Sequence, residues 1–389
     1  MENYIFQKKI SELQEEIRVT FISAHKNKAQ DILIVAGARP IFKMKGLRSV
    51  MKDLPIWTNE TFDVFIGSIL MGESAKGSNE LETQKNYNKM FERKMIDKEG
   101  AYDFHLTFGS NNLRCHMFAS APKGKINGKV ETTQATMSIR VVPKKIPEYS
   151  DLNLPDISPI LTHKSGLVLI AGLAGEGKST TVASLVNIFN QTDDKLRTIL
   201  TIEEPIEFIH KNNHASIIQR RVGDGEDVPS YSKATEDALR EDVDYVILQE
   251  LRKEEEMNNA IRLVETGKFV IATIHSTSVA DTFDRILGEF KHEDKDKTKN
   301  RLIANILAIV HQTLITSDSE QYPLVSMLIV ENKEIREKLR TAFLSPKHKE
   351  KIEELIKETP KEFALTKEEG FDYLVGLGVV KESVRVRFF

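Results

Sequence analysis

The strongest constraint on this chain is the run Gly172-Leu173-Ala174-Gly175-Glu176-Gly177-Lys178-Ser179, which fits G-x-x-x-x-G-K-[ST] at every fixed position. It follows Gly166-Leu167-Val168-Leu169-Ile170-Ala171, a continuous apolar run of the kind expected from a strand buried on both faces. A helical pattern begins at Lys178 and runs to about Asn190. Strand, glycine-rich loop and helix in that order form a phosphate cradle. The glycines let the backbone wrap closely with its N–H groups turned inward, and the helix N-terminus adds positive potential. Lys178 would supply charge to the β- and γ-phosphates of ATP, and the Ser179 hydroxyl would ligate Mg²⁺. Gly172, Gly175, Glu176, Gly177, Lys178, Ser179 and Thr180 are therefore the candidate nucleotide-binding residues.

The pattern around the loop fits an α/β domain. Thr198 to Ile202, Asp244 to Leu248 and Phe269 to Ile274 read as further strands, with helical stretches at Ser232 to Glu241 and Lys253 to Thr266. Strands alternating with helices argue for a parallel sheet. Upstream the periodicity is different. A helix over Ile5 to His25 precedes alternating strand-like runs at Asp31 to Val35, Ile41 to Met44, Tyr102 to Phe108, Leu113 to Ala119 and Gln134 to Val142. This reads as a small mixed domain rich in antiparallel strands. Gly72 to Asn88 reads as a polar loop or insertion. Pro143, Pro147, Pro155 and Pro159 mark a change of domain, which gives a first domain over 1–147, a linker over 148–159 and a nucleotide-binding domain over 160–330. The charge run from Lys291 to Lys299 reads as a solvated loop, and the stretch from Leu302 to Phe389 as mainly helical, with 331–389 set apart as a helical C-terminal region.

Composition narrows the function classes. The formal net charge is -3, and the calculated pI of about 6.4 does not suit a protein that coats nucleic acid. The single cysteine, Cys115, allows no internal disulfide and no cysteine zinc cluster, and it reads as a small buried hydrophobe. No secretory signal pattern follows Met1, and no apolar run reaches the ~18 residues of a membrane span. The expected location is cytoplasmic, peripheral on the inner face of the cell membrane.

Three more segments sit at strand ends, the edge where open parallel sheets bind ligands. Thr201-Ile202-Glu203-Glu204-Pro205-Ile206-Glu207-Phe208 places carboxylates beyond the second strand. The strand from Asp244 to Leu248 runs into Gln249-Glu250-Leu251-Arg252, an arrangement like a Walker B motif that can orient attacking water. The last strand ends in Ala272-Thr273-Ile274-His275-Ser276. Singly, acids and a histidine at such positions are ordinarily solvated or structural. Together with the phosphate loop they form a constellation.

In its order and wording this constellation resembles the type II/IV secretion ATPases, and within them the type IV pilus retraction ATPases (PilT) and the DotB-type secretion and conjugation ATPases. The resemblance covers roughly Asp31 to Val330 and rests on T-I-E-E-P-I-E-F, L-R-E-D-V-D-Y-V-I-L-Q-E-L-R and E-T-G-K-F-V-I-A-T-I-H-S. It implies a PAS-like α+β domain, then a RecA-like P-loop ATPase domain, then a mainly helical C-terminal extension. It implies that Glu203 positions catalytic water or metal, that Glu250 is the Walker B glutamate, and that His275 senses the γ-phosphate. It also implies that Arg114 and Arg140 of the first domain reach the nucleotide, where they would neutralise charge in phosphoryl transfer. A homo-hexamer is implied, with inner-membrane platform or secretion-system proteins as partners. It would power either a retraction-like type IV pilus or a type IVB secretion or conjugative transfer machine. Nucleic acid is not expected as a direct ligand; the alternative reading is a P-loop ATPase acting directly on nucleic acid.

The chain departs from the family pattern in places. Glu204 stands for the usual Asp, Leu173 and Ala174 for a Pro-Thr pair, and Glu176 for Ser. Val243 replaces Pro, Gln249 Gly and Lys253 Asp, and Asn112 stands where an arginine is frequent. Glu176 is expected to place an extra negative charge near the phosphates and to weaken nucleotide binding.

Overall fold

The computed structural model describes residues 2–44, 47–58, 60–62, 64–65, 101–108, 111–120, 125–126, 129–130, 134–142, 145–157, 160–161, 163–191, 196–223, 227–318 and 320–389. The chain divides into two compact units, Met1–Lys144 and Lys145–Phe389.

In the first unit, helix α1 (Glu2–Lys26) packs on an antiparallel sheet. Its strands are β1 (Asp31–Val35), β2 (Ile41–Met44), β3 (Leu47–Val50), β4 (Ala101–Phe108), β5 (Asn111–Ser120) and β8 (Gln134–Val142), in the order β3-β2-β1-β8-β5-β4. A small ribbon, β6 (Lys125–Ile126) with β7 (Lys129–Val130), lies within the segment Ser120 to Thr133. Strand alternation puts Ile32, Ile34, Phe42, Cys115, Met117, Met137 and Ile139 on the buried face, against Ile17, Phe21 and Trp57. Cys115 is fully buried, and burial pushes its thiol pKa up. The polar segment Gly72 to Asn88 lies outside the described residues.

The second unit is built on an eight-stranded sheet of order β11-β10-β12-β13-β9-β14-β15-β16. The strands are β9 (Gly166–Ala171), β10 (Arg197–Glu203), β11 (Ala215–Arg221), β12 (Tyr245–Leu248), β13 (Phe269–Ile274), β14 (Ile306–Ser317), β15 (Glu320–Ile329) and β16 (Ala364–Leu365). Pairing is parallel from β11 through to β14 and antiparallel from β14 to β16. Every residue of β9, β12 and β13 is buried. Helix α2 (Lys178–Gln191) covers one face through Val182, Leu185, Val186 and Phe189. The other face carries α3 (Tyr231–Ala238), α4 (Glu254–Glu265), α5 (Val279–Gly288) and α6 (Lys295–Asn305), with Met257, Ile261, Val264 and Phe283 among the buried side chains. Serine caps set two of these starts: Ser230 accepts from Lys233 N before α3, and Ser278 accepts from Asp281 N before α5.

The structure corrects the sequence reading at three places. The proline-bearing segment expected as a free linker over 148–159 packs onto the second unit: Tyr149–Leu152 forms a 3₁₀ turn, and Leu154 and Ile157 are buried in the same core as α2. Its apolar residues outweigh the extending effect of its prolines. The charge run expected as a loop is helical through α6, because Thr298, Leu302 and Ile303 give it a buried side. The stretch expected to be mainly helical from Leu302 holds the longest hairpin of the unit, β14 with β15. Its apolar runs are short, and periodicity alone does not separate a buried strand from a buried helix.

Beyond the hairpin come α7 (Lys333–Leu344), α8 (His348–Glu358) and α9 (Lys367–Gly376). Helix α9 lies so close to β15 that a Cβ on Gly370 would meet the Val325 carbonyl oxygen at 1.9 Å. Gly370→Ala gains up to ~1 kcal/mol of helix propensity, yet overpacking of this kind costs about 1–3 kcal/mol. The expected net outcome is destabilisation, read as a lower midpoint in urea denaturation. An unchanged or higher midpoint would show that α9 does not depend on this contact.

Candidate active site

Parallel pairing brings the carboxyl ends of β9, β10, β12 and β13 to one edge. Ala171 pairs with Ile274, Leu248 with Ala272, and Ile202 with Leu248. The residues that follow each strand therefore converge: the loop from Gly172, then Glu203, then Gln249 and Glu250, then His275.

Lys178 is buried and its Nζ donates to the carbonyl oxygens of Gly172 and Leu173, each at 2.8 Å. Nζ also lies 3.2 Å from His275 Nδ1. On the far side of the ring, His275 Nε2 is 3.0 Å from Glu250 Oε1. Nδ1 also lies 3.1 Å from the Gly172 carbonyl oxygen: in the neutral ring with Nε2–H donating to Glu250, Nδ1 accepts from Lys178, whereas a protonated Nδ1 donates to Gly172. Glu250 Oε2 accepts from Arg252 Nη2 at 2.9 Å, and Arg252 Nη1 is 3.9 Å from Glu204 Oε2. Lysine, histidine, glutamate and arginine thus form one continuous polar chain across the strand ends. Burial lowers the Lys178 pKa from the ordinary lysine value, and Glu250, Glu176 and Glu207 oppose that shift.

The half-buried Glu203 is held by three donors. Thr201 Oγ1 donates to Oε1 at 2.7 Å, Gln219 Nε2 to Oε1 at 3.2 Å, and Glu207 N to Oε2 at 3.3 Å. Burial nonetheless raises its pKa above the ordinary carboxylate value, against the lowering effect of these bonds. Ser179, Glu203, Gln249 and Thr273 line one small cavity of about 30 Å³. Ser179 and Thr180 are half-buried at the start of α2, where the sequence places them.

The Glu176 side chain turns toward β14 while its charge still acts on Lys178. Its carboxylate accepts from the backbone N–H of Leu314 on β14, and so bonds to the strand. Its carbonyl accepts from Gln312 Nε2 at 2.5 Å, and Gln312 Oε1 accepts from Thr181 Oγ1 at 2.7 Å. β14 therefore clamps the loop from behind. The clamp explains one glycine: a Cβ on Gly172, at φ 148°, would meet the Gln312 carbonyl oxygen at 2.4 Å. Gln312, Gln219 and the role of Gln249 were missed by sequence reasoning. The signal for Gln312 was the polar triplet His311-Gln312-Thr313 between two apolar runs.

Arg114 and Arg140 lie in the first unit as direct cross-strand partners of β5 and β8. The row continues from Arg140 to Asp31 and on to Lys43. Arg140 Nε is 3.0 Å from Asp31 Oδ1, and Lys43 Nζ 3.6 Å from Asp31 Oδ2. Among the described residues no group of three or more His, Cys, Asp or Glu is arranged to hold a metal ion. A Mg²⁺ of the P-loop kind needs no such group, since one hydroxyl, waters and phosphate oxygens ligate it, and Ser179 suits that role. No described helix is long and apolar enough to cross a membrane.

Residues 135–360, more than half of the chain, match the family described as type II/IV secretion system protein. The type IV pilus retraction ATPase PilT of Pseudomonas aeruginosa is 35% identical over 192 residues, 49% of this chain and 55% of that protein. The chain is matched over 66%, 55% and 53% of three curated relatives, so it spans between about half and two thirds of their lengths. The solved structure of the Legionella pneumophila ATPase DotB superposes with a TM-score of 0.75 at 23% identity, covering 93% of this chain and 91% of that one. That likeness carries the fold alone. The pilus retraction motor PilT with bound ADP superposes with a TM-score of 0.67 at 26% identity, covering 91% of this chain and 95% of that one.

The raised pKa of Glu203 gives a signed prediction. The fold favours the neutral acid, so the folded state holds its proton to higher pH than the unfolded chain. Stability is therefore lost as pH rises through the interval between the ordinary carboxylate pKa and the raised one, and the full cost persists above it. Glu203→Gln should be more stable than the parent at neutral pH, with the difference gone near about pH 3, below both pKa values. Urea titrations at the two pH values read this; a variant less stable at neutral pH would contradict the burial argument.

Proposed function

We propose that this chain, which belongs to the type II/IV secretion system protein family, is a Mg²⁺-dependent ATPase that works as a cytoplasmic motor for a type IV pilus or for a type IVB secretion or conjugative transfer machine. The observation that carries the reading is the continuous link from Lys178 through His275 to Glu250 at the strand ends. The relative with bound ADP supports nucleotide as the ligand.

The residues divide the work. Nucleotide phosphates would compete with the Gly172 and Leu173 carbonyls for Lys178, and the loop N–H groups would hold the phosphate oxygens. Mg²⁺ supplies charge neutralisation at the phosphates when bound. Its protein ligand would be the Ser179 hydroxyl. Glu250 orients the attacking water once His275 shifts toward the γ-phosphate, and this shift makes His275 the sensor. Glu203 holds a water from the opposite side. In a homo-hexamer the nucleotide would also meet Arg114 and Arg140 of a PAS-like first domain. An adjacent pair of arginines on one strand row suits a dispersed phosphate charge. The second unit would then be the RecA-like motor, with inner-membrane platform or secretion-system proteins as its partners.

Two substitutions test the reading. Lys178→Ala should abolish both nucleotide binding and hydrolysis. Glu250→Gln should keep binding and lower kcat by a factor on the order of 10² or more, as loss of a water-orienting group does. A malachite-green phosphate assay beside fluorescent-nucleotide titration reads both, and normal turnover in either variant would sink the assignment. Specific activity should also rise with protein concentration if a neighbouring subunit completes the site; full activity in a monomer excludes the ring.

A further inference from the structure

The end of β10, at Glu203, and the loop that follows it from Glu204 are gripped from two sides by glutamines. On one side stands Gln249, between the last residue of β12 and Glu250. Its Oε1 accepts from the backbone N–H of Glu204 and, at 3.3 Å, from the Tyr231 hydroxyl. Its Nε2 donates to the Pro205 carbonyl oxygen at 3.0 Å. The backbone of Gln249 is fixed as well: its N–H donates to Ile202 O at 3.1 Å, and its carbonyl accepts from Thr273 Oγ1. On the other side, Gln219 of β11 donates to Glu203 Oε1 at 3.2 Å and to Phe208 O at 2.8 Å, and accepts from His210 N at 2.8 Å. Both amides thus use donor and acceptor ends on backbone groups of this one loop.

We propose that Gln249 is a positioning residue that ties the Walker B strand end to the acidic loop, so that Glu203 and Glu250 are set as one unit. The neighbouring residue, Glu250, is the one linked to Lys178 through His275. A displacement of Glu250 toward bound nucleotide therefore drags the Glu204–Pro205 backbone with it, and Gln219 is the fixed post on the far side. A glycine at 249, as the resembled family carries, has no side chain with which to make this tie. The chain's own residue here adds a coupling that the backbone alone does not supply. The kinetic half of the proposal rests on the ATPase reading; the structural half does not.

The test uses the full chain and Gln249→Met, which keeps the side-chain volume and removes the amide. Hydrogen exchange read by mass spectrometry over peptides spanning Thr201 to His210 should show faster exchange in the variant, because Glu204 loses its acceptor. Turnover should fall by about 3- to 10-fold, the loss equivalent to one ordinary hydrogen bond, with KM for ATP within about twofold. Gln219→Met and the double variant complete a cycle, and the two effects on kcat should be non-additive because both residues hold the same loop. Unchanged exchange in Gln249→Met overturns the proposal, as does faster exchange with unchanged kcat, or additive effects in the cycle. A parent protein that hydrolyses no ATP overturns the ATPase reading instead, and exchange over Thr201 to His210 then decides the tie by itself.

Discussion

A strand covered on both faces can carry polar chemistry only at its ends, and this constraint organises the second unit. β9, β12 and β13 are buried along their whole lengths, between α2 on one side and α4 and α5 on the other. A polar side chain inside those strands without a partner would cost several kcal/mol. Lysine, glutamates and histidine are therefore found where the strands stop. Parallel pairing then puts those stops side by side, and the site is a consequence of how the core is closed.

Within the chain from Lys178 to Arg252 each charged group has a polar partner, whereas Glu203 has only the neutral donors of Thr201, Gln219 and Glu207. Lys178 meets two carbonyls and a histidine, and that histidine meets Glu250. The network is thus sensitive to a new anion that takes Lys178 from its present partners. The phosphate loop is stiffened from behind by Gln312 and by the Glu176 carboxylate on Leu314 N–H. The Glu176 carboxylate bonds to β14, and its negative charge still acts on Lys178.

The first unit shows a different use of charge. Asp31 faces Arg140 and Lys43 on neighbouring strands, while Arg114 faces Arg140. Ion pairs at this exposure contribute ~0–1 kcal/mol, and like charges directly opposite are unfavourable. The row therefore adds little to the stability of the sheet.

The sequence by itself determined the order of the chemistry: a glycine-rich loop, two acidic strand ends and a histidine, each after an apolar run that reads as an interior strand. It also determined β1, β2, β4, β5 and β8 of the first unit and β9, β10, β12 and β13 of the second, because alternation and continuous burial are local patterns. It did not determine β14 and β15, whose apolar runs fit a buried helix equally well, nor the packed path of the proline-bearing segment before β9. The partners of Glu176, Glu203 and Gln249 lay beyond it as well. Glu176 meets Leu314 because β14 lies beside β9, and Glu203 meets Gln219 because β11 lies beside β10. Sheet order is set by the burial of all strands at once. Only the tertiary structure could decide which distant residue completes each hydrogen bond.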